Sequence, residues 1–175
     1  KKCYLCTSFF GEKVSHWIII KLSGIKNFQE QVQKNSFRLD LKLDFMLNFD
    51  ESGLDPQILK AIAELGFETP TPIQAKAIPT ILNSGQDMIA LAQTGTGKTA
   101  AFGLPVIQQV DYSKFFVQGI ILCPTRELCL QITADLKRFS KYLPKLEVVP
   151  VYGGTDIRAQ IKQLRDGCQI VVGTP

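Results

Sequence analysis

The N-terminal part of the chain lacks a long hydrophobic run, and this absence argues against a membrane anchor there. The longest apolar stretch near the start covers residues 17–20, whereas a helix that spans a bilayer needs about 20 apolar residues. A secretory signal also needs a longer apolar stretch followed by a small-residue cleavage site, and neither is clear here. We therefore expect a cytoplasmic protein without a membrane partner.

Cysteines are few, odd in number and scattered, so they do not form the pattern of a disulfide framework. Three of the five lie in apolar stretches: Cys123, Cys129 and Cys168. This usage is typical of a reducing cytosol. Cys3 and Cys6, together with His16, resemble half of a zinc site. Structural zinc takes four ligands and no second closely spaced pair follows, so incidental cysteines are the favoured interpretation.

A basic excess is absent from most of the chain. Residues 1–45 hold eight of the 20 Lys and Arg residues and four of the 16 Asp and Glu residues, so residues 46–175 hold twelve of each and carry no net charge. The net charge of +4 therefore says little about nucleic-acid binding by the larger part. With 175 residues, 45% of them hydrophobic and 21% charged, the chain is long enough for one globular domain.

Methionine is also scarce, and its positions bear on where the folded part begins. Only Met46 and Met88 occur. From residue 50 onward helix caps, apolar periods and turns agree with one another, as they do in sequences selected to fold, whereas residues 1–45 keep neither a helical nor a strand period. One hypothesis is that Met46 is the initiator and residues 1–45 are translated upstream sequence; the alternative is a genuine, poorly ordered extension. Either hypothesis divides the chain into an atypical segment, 1–45, and a domain, 46–175.

Within the domain, strand and helix patterns alternate. Strands are predicted over residues 87–91, 119–123, 146–152 and 169–172. Helices are predicted from Asp55-Pro56 to a stop at Gly66, from Thr71-Pro72 to about Leu82 with a kink at Pro79, from Lys98, from about 126 to 142, and over 156–165. In the last two helices apolar residues are predicted to face inward: Leu128, Ile132, Leu136, Phe139, Ile157, Ile161 and Leu164.

This alternation predicts an α/β fold with a parallel sheet covered by helices on both faces. Right-handed crossovers place the carboxyl ends of parallel strands at one edge of the sheet, where ligands bind in such folds. The segments 92–99, 124–127, 153–154 and 174–175 are therefore expected to share that edge.

A glycine-rich segment follows the first predicted strand of the domain and opens a helix: Ala92, Gln93, Thr94, Gly95, Thr96, Gly97, Lys98 and Thr99. Its composition and context are those of a phosphate-binding loop, with Ala92 in place of the first glycine of the strict pattern. The glycines let backbone N–H groups point at phosphate oxygens. Lys98 is expected to reach the β- and γ-phosphates and Thr99 to ligate Mg²⁺, so these two are the catalytic candidates.

Many classes of protein have a phosphate-binding loop, and the segment before this loop distinguishes among them. Residues 66–74, with the sequence Gly-Phe-Glu-Thr-Pro-Thr-Pro-Ile-Gln, resemble the Q motif of DEAD-box RNA helicases, and Phe49 stands 17 residues before Gly66, where that family carries an isolated aromatic. The resemblance, over about 47–75, implies that Phe49, Phe67, Thr69 and Gln74 bind ATP. An amide such as that of Gln74 can pair with the N6 and N7 edge of adenine, and Phe49 can stack on the base. Without the resemblance, Gln74 would be interpreted as a helix-surface residue and Phe49 as a core aromatic.

Three later segments look like motifs of the same family. Residues 124–131, Pro-Thr-Arg-Glu-Leu-Cys-Leu-Gln, resemble its PTRELA-type motif with Cys129 in place of the common alanine, which we expect to be tolerated; a glycine pair and a terminal Thr-Pro follow in family order. The resemblance implies contacts to the RNA backbone from these residues: Pro124, Thr125, Arg126, Gly153, Gly154, Thr174 and Pro175. Taken alone, they are equally typical of a helix start with an ion pair and of a tight turn.

The resemblance covers residues 49–175 and implies a RecA-like P-loop domain, incomplete at its C-terminus. No counterpart of the family's Asp-Glu-Ala-Asp segment, its Ser-Ala-Thr motif or its second RecA-like domain occurs before Pro175. The chain as given is therefore expected to bind nucleotide weakly at most, while the whole protein would be an RNA-dependent ATPase that unwinds short duplexes locally. Two alternatives remain open: a related motor acting on DNA, and a clamp that binds ATP and RNA without hydrolysis.

Overall fold

The centre of the molecule is a six-stranded sheet. The computed structural model describes residues 2–7, 16–20, 46, 48–83 and 88–175. The strands are β1 (Lys2–Thr7), β2 (His16–Ile20), β3 (Met88–Ala92), β4 (Gly119–Leu122), β5 (Val148–Val151) and β6 (Ile170–Gly173), in the spatial order β3-β2-β1-β4-β6-β5. The α-helices are α1 (Pro56–Glu64), α2 (Pro72–Asn83), α3 (Lys98–Gln108), α4 (Arg126–Phe139) and α5 (Ile157–Asp166), preceded by a 3-10 helix, Phe49–Ser52.

The four strands predicted in the domain run in the same direction, which confirms the α/β prediction. β4 and β5 each pair with β6 in parallel, with Gly119 and Val148 both opposite Ile170. β1 is parallel to β4, and two antiparallel pairings lead from β1 through β2 to β3, so β3 has the direction of β4. The carboxyl ends of all four strands therefore meet at one edge, as expected.

The sequence did not predict β1 and β2. They lie in the segment that shows no sustained period, and β2 is antiparallel to both of its neighbours, so the sheet is mixed rather than wholly parallel. Together they separate β3 from β4 by about 14 Å, three inter-strand spacings of about 4.8 Å. The hypotheses on the origin of residues 1–45 otherwise concern residues outside those described and stay predictions.

Helix starts follow the capping signals in the sequence. An Asp55 carboxylate oxygen accepts a hydrogen bond from the Gln57 N–H at 2.7 Å, and Pro56 takes the first helical position. Thr125 caps α4 by accepting from the Leu128 N–H. These side chains satisfy backbone donors that have no partner within a helix, and each predicted start agrees with the structure to within one residue.

Helix α4 ends at Phe139 and not at the predicted residue 142. The Ser140 hydroxyl donates to the Leu136 carbonyl at 2.9 Å, and the Leu143 N–H donates to the Ser140 carbonyl at 2.8 Å, which turns the chain out of the helix. The released Tyr142 then reaches Glu64 of α1. Periodicity did not show this end because Leu143 continues the apolar pattern.

The core lies between the sheet and the helices α1 to α4. Helix α2 packs against α3, α3 against α4, and α1 against α4. The largest fully buried hydrophobic side chains come from all these elements: Ile58, Ile62, Ile78, Leu104, Ile107, Ile121, Ile132, Leu136 and Ile170. Among the described elements, no helix has the length and apolarity needed to cross a membrane.

The apolar stripe of α5 is not buried, contrary to the prediction. Ile157 is 68% exposed and Ile161 39% exposed, and none of the residues of α5 is buried. The helix follows the edge strand β5 and contacts mainly that strand among the described elements. The chain passes from β4 over β6 to β5, and the connection from β5 then returns in the opposite direction to β6. Right-handed crossovers therefore place α4 and α5 on opposite faces of the sheet.

Candidate nucleotide site and nucleic-acid interface

The glycine-rich loop connects β3 to α3 at the carboxyl edge of the sheet. Gly95 and Gly97 both have φ of 77°, a left-handed conformation that glycine adopts without steric cost. Gly97 is also the N-cap residue of α3, so the loop ends directly on the positive end of a helix. This local structure is the one that a phosphate-binding loop requires.

Two side chains of the preceding segment are bonded to this loop. Gln74, only 2% exposed, accepts from the Thr71 N–H at 2.9 Å through Oε1 and donates to the Gly97 carbonyl at 3.1 Å through Nε2. The Thr71 hydroxyl donates to the Thr96 carbonyl at 2.9 Å. The first turn of α2 is thereby attached to the loop, and Gln74 lies in the interior instead of on a helix surface.

The Gln74 amide retains capacity for a further partner. A side-chain amide has two N–H donors and an oxygen with two lone pairs, and the bonds to Thr71 and Gly97 use one of each. Pairing with the edge of adenine is therefore compatible with the contacts that hold Gln74 in place. Thr71 was not singled out from the sequence as a site residue, although its place directly before Pro72 marked a helix start.

The two phenylalanines of the predicted adenine site form an aromatic row. The Phe49 and Phe67 ring centroids are 6.0 Å apart, and Phe67 is 5.9 Å from Phe139, both in edge-to-face geometry. Phe49 is buried, with 5% exposure, so the structure places it in the core. Stacking on a base needs an accessible ring face, and that role stays a prediction. Thr69 is exposed in the connection between α1 and α2.

Lys98 lies over the loop that it was predicted to serve. Its Nζ donates to the Ala92 carbonyl at 2.7 Å and to the Gln93 carbonyl at 2.8 Å, and the Thr96 hydroxyl donates to the same Gln93 carbonyl. The ammonium group is thus held at the mouth of the loop by two neutral acceptors. A phosphate group is a stronger acceptor for an ammonium group than a carbonyl, so the loop fits a nucleoside triphosphate.

Thr99 is half-buried in the first turn of α3. Among the described residues, no group of three or more His, Cys, Asp and Glu side chains is placed to hold a metal ion. Mg²⁺ at nucleotide sites is bound by substrate phosphates, water and only one or two protein ligands. A single hydroxyl beside the phosphate loop therefore fits Mg²⁺ that arrives with a nucleotide. The zinc interpretation depends on side chains of Cys3, Cys6 and His16, which lie outside those described.

A second group of predicted residues meets farther along the same edge. The guanidinium carbon of Arg126 lies 4.9 Å from the centroid of the Tyr152 ring, within the range of a cation–π contact. Gly154 has φ of 83°, and a β-carbon there would lie 3.8 Å from Nη1 of Arg126. The Thr-Arg pair and the glycine pair are both exposed and adjacent, as predicted. Tyr152 was not predicted as part of this site.

The ends of β4, β5 and β6 are joined by backbone and thiol contacts. The Thr174 N–H donates to the Val151 carbonyl at 3.1 Å, and the Cys123 N–H donates to the Gly173 carbonyl at 2.9 Å. The buried Cys129 thiol donates to the Val172 carbonyl at 3.2 Å, and its burial raises the pKa of this thiol. Thr174 is thereby placed on the same edge as Thr125, with Pro124 and Pro175 beside them in the chain.

The comparisons with known proteins agree with these motifs. A family model described as DEAD/DEAH box helicase matches residues 71–175. The chain is 52% identical over 130 residues to the ATP-dependent RNA helicase CshA of Listeria monocytogenes, covering 74% of this chain and 25% of that protein. It is 46% identical over 127 residues to the ATP-dependent RNA helicase DeaD of Mycobacterium tuberculosis, covering 73% and 22%. The chain thus spans about a quarter of the length of these curated relatives.

Two solved structures resemble the fold. A DEAD box protein from the hyperthermophile Methanococcus jannaschii is 40% identical, with a TM-score of 0.66 over 75% of this chain and 36% of that one. The RNA helicase Prp28 from Chaetomium thermophilum, bound to ADP, is 38% identical, with a TM-score of 0.65 over 76% and 33%. Both similarities agree with a RecA-like domain of which this chain forms a part.

Proposed function

Because the chain belongs to the DEAD/DEAH box helicase family, we propose that the whole protein is a cytoplasmic, ATP-dependent RNA helicase. In this proposal the first RecA-like domain binds ATP and Mg²⁺ at the glycine-rich loop and holds single-stranded RNA by its backbone. A second RecA-like domain of the same protein completes the site, and ATP hydrolysis is coupled to local opening of RNA duplexes. The relatives named ATP-dependent RNA helicases support the choice of RNA over DNA.

The observation that carries the nucleotide part of the proposal is the bond from Gln74 to the Gly97 carbonyl. It places an amide with a free donor and a free lone pair beside the loop that receives the phosphates. A phosphate loop alone accepts any nucleoside triphosphate, whereas this amide matches the donor and acceptor pattern of the adenine edge. Preference for ATP over GTP follows.

Lys98 and Thr99 have different roles toward the phosphates. The Lys98 ammonium exchanges the carbonyls of Ala92 and Gln93 for oxygens of the β- and γ-phosphates, where it offsets charge. The Thr99 hydroxyl would hold Mg²⁺, which would supply positive charge to stabilise the phosphates during hydrolysis. The backbone N–H groups around Gly95 and Gly97 bind the remaining oxygens.

The nucleic-acid part of the proposal depends on Arg126 and the glycine pair. A guanidinium group binds phosphate in a bidentate manner, and the exposed Gly153 and Gly154 leave room for a backbone to approach Arg126. The Thr125 hydroxyl accepts a hydrogen bond in its capping role, so its own O–H can donate to a second phosphate. Contacts of this kind position a strand without reading its bases. We expect little sequence preference.

The proposal is tested by ATP hydrolysis in the whole protein, with and without single-stranded RNA. We expect RNA to stimulate hydrolysis, Lys98→Ala to abolish it, and Arg126→Ala to raise the RNA concentration needed for half-maximal stimulation. Lys145→Ala is the matched control, because this exposed lysine precedes β5 at the opposite edge of the sheet. Stimulation by DNA alone would favour a DNA motor, and RNA binding without hydrolysis would favour a clamp; either result would overturn the proposal.

A further inference from the structure

A single side chain of α5 holds the chain at the glycine pair. The Tyr152 N–H donates to Oε1 of Gln160 at 3.0 Å, and Nε2 of Gln160 donates to the Tyr152 carbonyl at 2.9 Å. The amide thus bonds both polar groups of one backbone residue, as a neighbouring strand does in a sheet. Nε2 also donates to the Thr155 hydroxyl at 2.5 Å. Gln160 therefore contacts both residues that flank Gly153 and Gly154.

This loop needs an external restraint to keep one shape. Glycine has more conformational freedom than any other residue, and two in succession leave Gly153 and Gly154 without a preferred conformation of their own. The strand β5 ends at Val151, so residues 152–155 lie beyond it. The bonds from Gln160 supply a restraint at each end of the pair.

The restraint reaches Arg126 through the Tyr152 ring. The backbone of Tyr152 is fixed by Gln160, and its ring lies 4.9 Å from the guanidinium carbon of Arg126. A β-carbon at Gly154 would lie 3.8 Å from the same guanidinium group, so the loop borders Arg126 on a second side. The direction of the Arg126 side chain, which is exposed, therefore depends on where residues 152–154 lie.

The bonds of Gln160 join α5 to the chain at the end of β5 and do not lie in the interior of the domain. This helix has no buried residue, and its apolar side chains Ile157 and Ile161 are exposed. An interior role of the kind that Gln169 plays is thereby excluded. Gln169 is fully buried at the opposite edge of the sheet, where its amide bonds the Glu147 N–H at 2.8 Å and the Lys114 carbonyl at 3.0 Å.

We propose that Gln160 is a positioning residue for the nucleic-acid interface: by fixing Tyr152 and the glycine pair it holds Arg126 in the direction that meets a phosphate of bound RNA. The proposal rests on the proposed function, since it requires that Arg126 binds RNA. It adds Gln160 and Tyr152 to a site that the sequence motifs limited to residues 124–126, 153–154 and 174–175.

The test uses Gln160→Met in the whole protein, because methionine preserves the length of the side chain and removes its hydrogen bonds. We expect the RNA concentration for half-maximal ATPase stimulation to rise roughly five- to tenfold, because the loss of the three Gln160 bonds reaches the RNA only through the direction of Arg126. The maximal rate and the KM for ATP are expected to stay unchanged. A general loss of folded structure would lower the maximal rate as well.

Two glutamines of the same chain serve as controls. Gln163→Met changes an exposed residue one turn farther along α5 and should leave RNA stimulation unaltered. Gln169→Met removes an equivalent pair of backbone bonds at the opposite edge; it should lower the thermal midpoint and leave the half-maximal RNA concentration unchanged. An equal RNA effect in Gln169→Met would show that Gln160 acts only through stability and would overturn the proposal.

A double-mutant cycle separates positioning from any independent contact of Gln160 with RNA. If Gln160 acts through Arg126, then Gln160→Met should have little further effect once Arg126→Ala is present. Additive effects would overturn the proposal and leave the proposed function intact. A whole protein that does not bind RNA in its unsubstituted form would instead overturn the proposed function, and this inference with it.

Discussion

Gly97 is the residue at which the loop, the start of α3 and the Gln74 amide meet. It has φ of 77°, and a β-carbon there would collide with Nε2 of Gln74. Gly95 has the same φ with no atom within 4 Å of a β-carbon. We expect Gly95→Ala to cost about 1 kcal/mol of unfolding free energy, the strain of a left-handed alanine. Gly97→Ala should cost about 2–3 kcal/mol, because it also breaks the partly buried hydrogen bond from Gln74 to the Gly97 carbonyl.

Denaturant unfolding of both variants without nucleotide measures this difference. The comparison is matched because both changes add one methyl group at the same φ of 77°. Equal losses of stability in the two variants would mean that the Gln74 amide moves aside without cost. The attachment of α2 to the loop would then contribute nothing to the free energy of unfolding.

Gln74 combines a structural role with the proposed recognition of adenine. Gln74→Ala leaves the Thr71 N–H without its described acceptor and removes one of two donors to the Gly97 carbonyl, which keeps the Ala101 N–H. We expect a loss of about 1–3 kcal/mol in stability and an ATP-to-GTP affinity ratio close to one. Thr71→Val is the control, because it removes the bond to Thr96 and retains the amide. Equal affinity for ATP and GTP in the unsubstituted protein would refute the adenine role.

The residues of the glycine-rich loop were easier to predict from the sequence than the residues that contact the site from elsewhere. The roles of the glycines, Lys98 and Thr99 can be inferred from their identity and spacing, and the structure places them in one turn. The contacts of Gln74 and Gln160 cannot be inferred in this way, because a glutamine on a helix looks the same in a sequence whether its amide bonds water or a backbone carbonyl. Only the fold shows that Gln74 reaches Gly97 and Gln160 reaches Tyr152.

Between elements, α1 is held to the end of α4 by a charged cluster at Glu64. Its carboxylate accepts from the Lys141 ammonium at 2.6 Å and from the Tyr142 hydroxyl. The bond from Lys141, followed by that from Tyr142, holds the pKa of Glu64 below its usual value. A lowered carboxyl pKa adds stability at neutral pH that is lost as the pH falls through the folded and unfolded pKa values.

We therefore expect Glu64→Gln to lower the thermal midpoint slightly at pH 7 and low salt. The effect is small because both partners are about half exposed and screened by solvent. The difference from the unsubstituted protein should shrink as the pH is lowered toward 3 or as salt is added. Glu68→Gln, at an exposed site in the connection after α1, should leave the thermal midpoint at pH 7 unchanged. A constant difference at every pH would exclude the ion pair as its cause.

The starts of helices could be predicted from local chemistry, whereas the surroundings of a helix could not. The caps at Asp55 and Thr125 predicted helix starts because their cause lies within three residues. The stripe on α5 predicted a helix correctly but not its burial, because periodicity states that a face is apolar and not what covers it. Ile157 and Ile161 are exposed for that reason.

For the molecule as a whole, the sheet was predicted except at its centre. The strands of the domain carry apolar runs that identify them individually, and right-handed crossovers predict their common edge. Strands β1 and β2 depend on pairing between segments distant in sequence, and residues 16–20 pair in antiparallel with β3 more than 60 positions later. A short apolar run does not specify such a partner, so this pairing could not be predicted from the sequence.

The salt dependence of RNA binding tests whether the interface is local or arises from overall charge. Residues 46–175 carry no net charge, so we expect RNA binding by this part to come from individual cations such as Arg126. Each phosphate contact contributes about −0.7 to the slope of log affinity against log salt for a single strand. Arg126→Ala should make the slope less steep by about that amount in the whole protein, whereas Lys137→Ala, farther along α4 and exposed, should leave it unchanged. Equal changes in both variants would mean that RNA senses only the diffuse charge of α4, and that the adjacency of Arg126 and Gly154 has no part in binding.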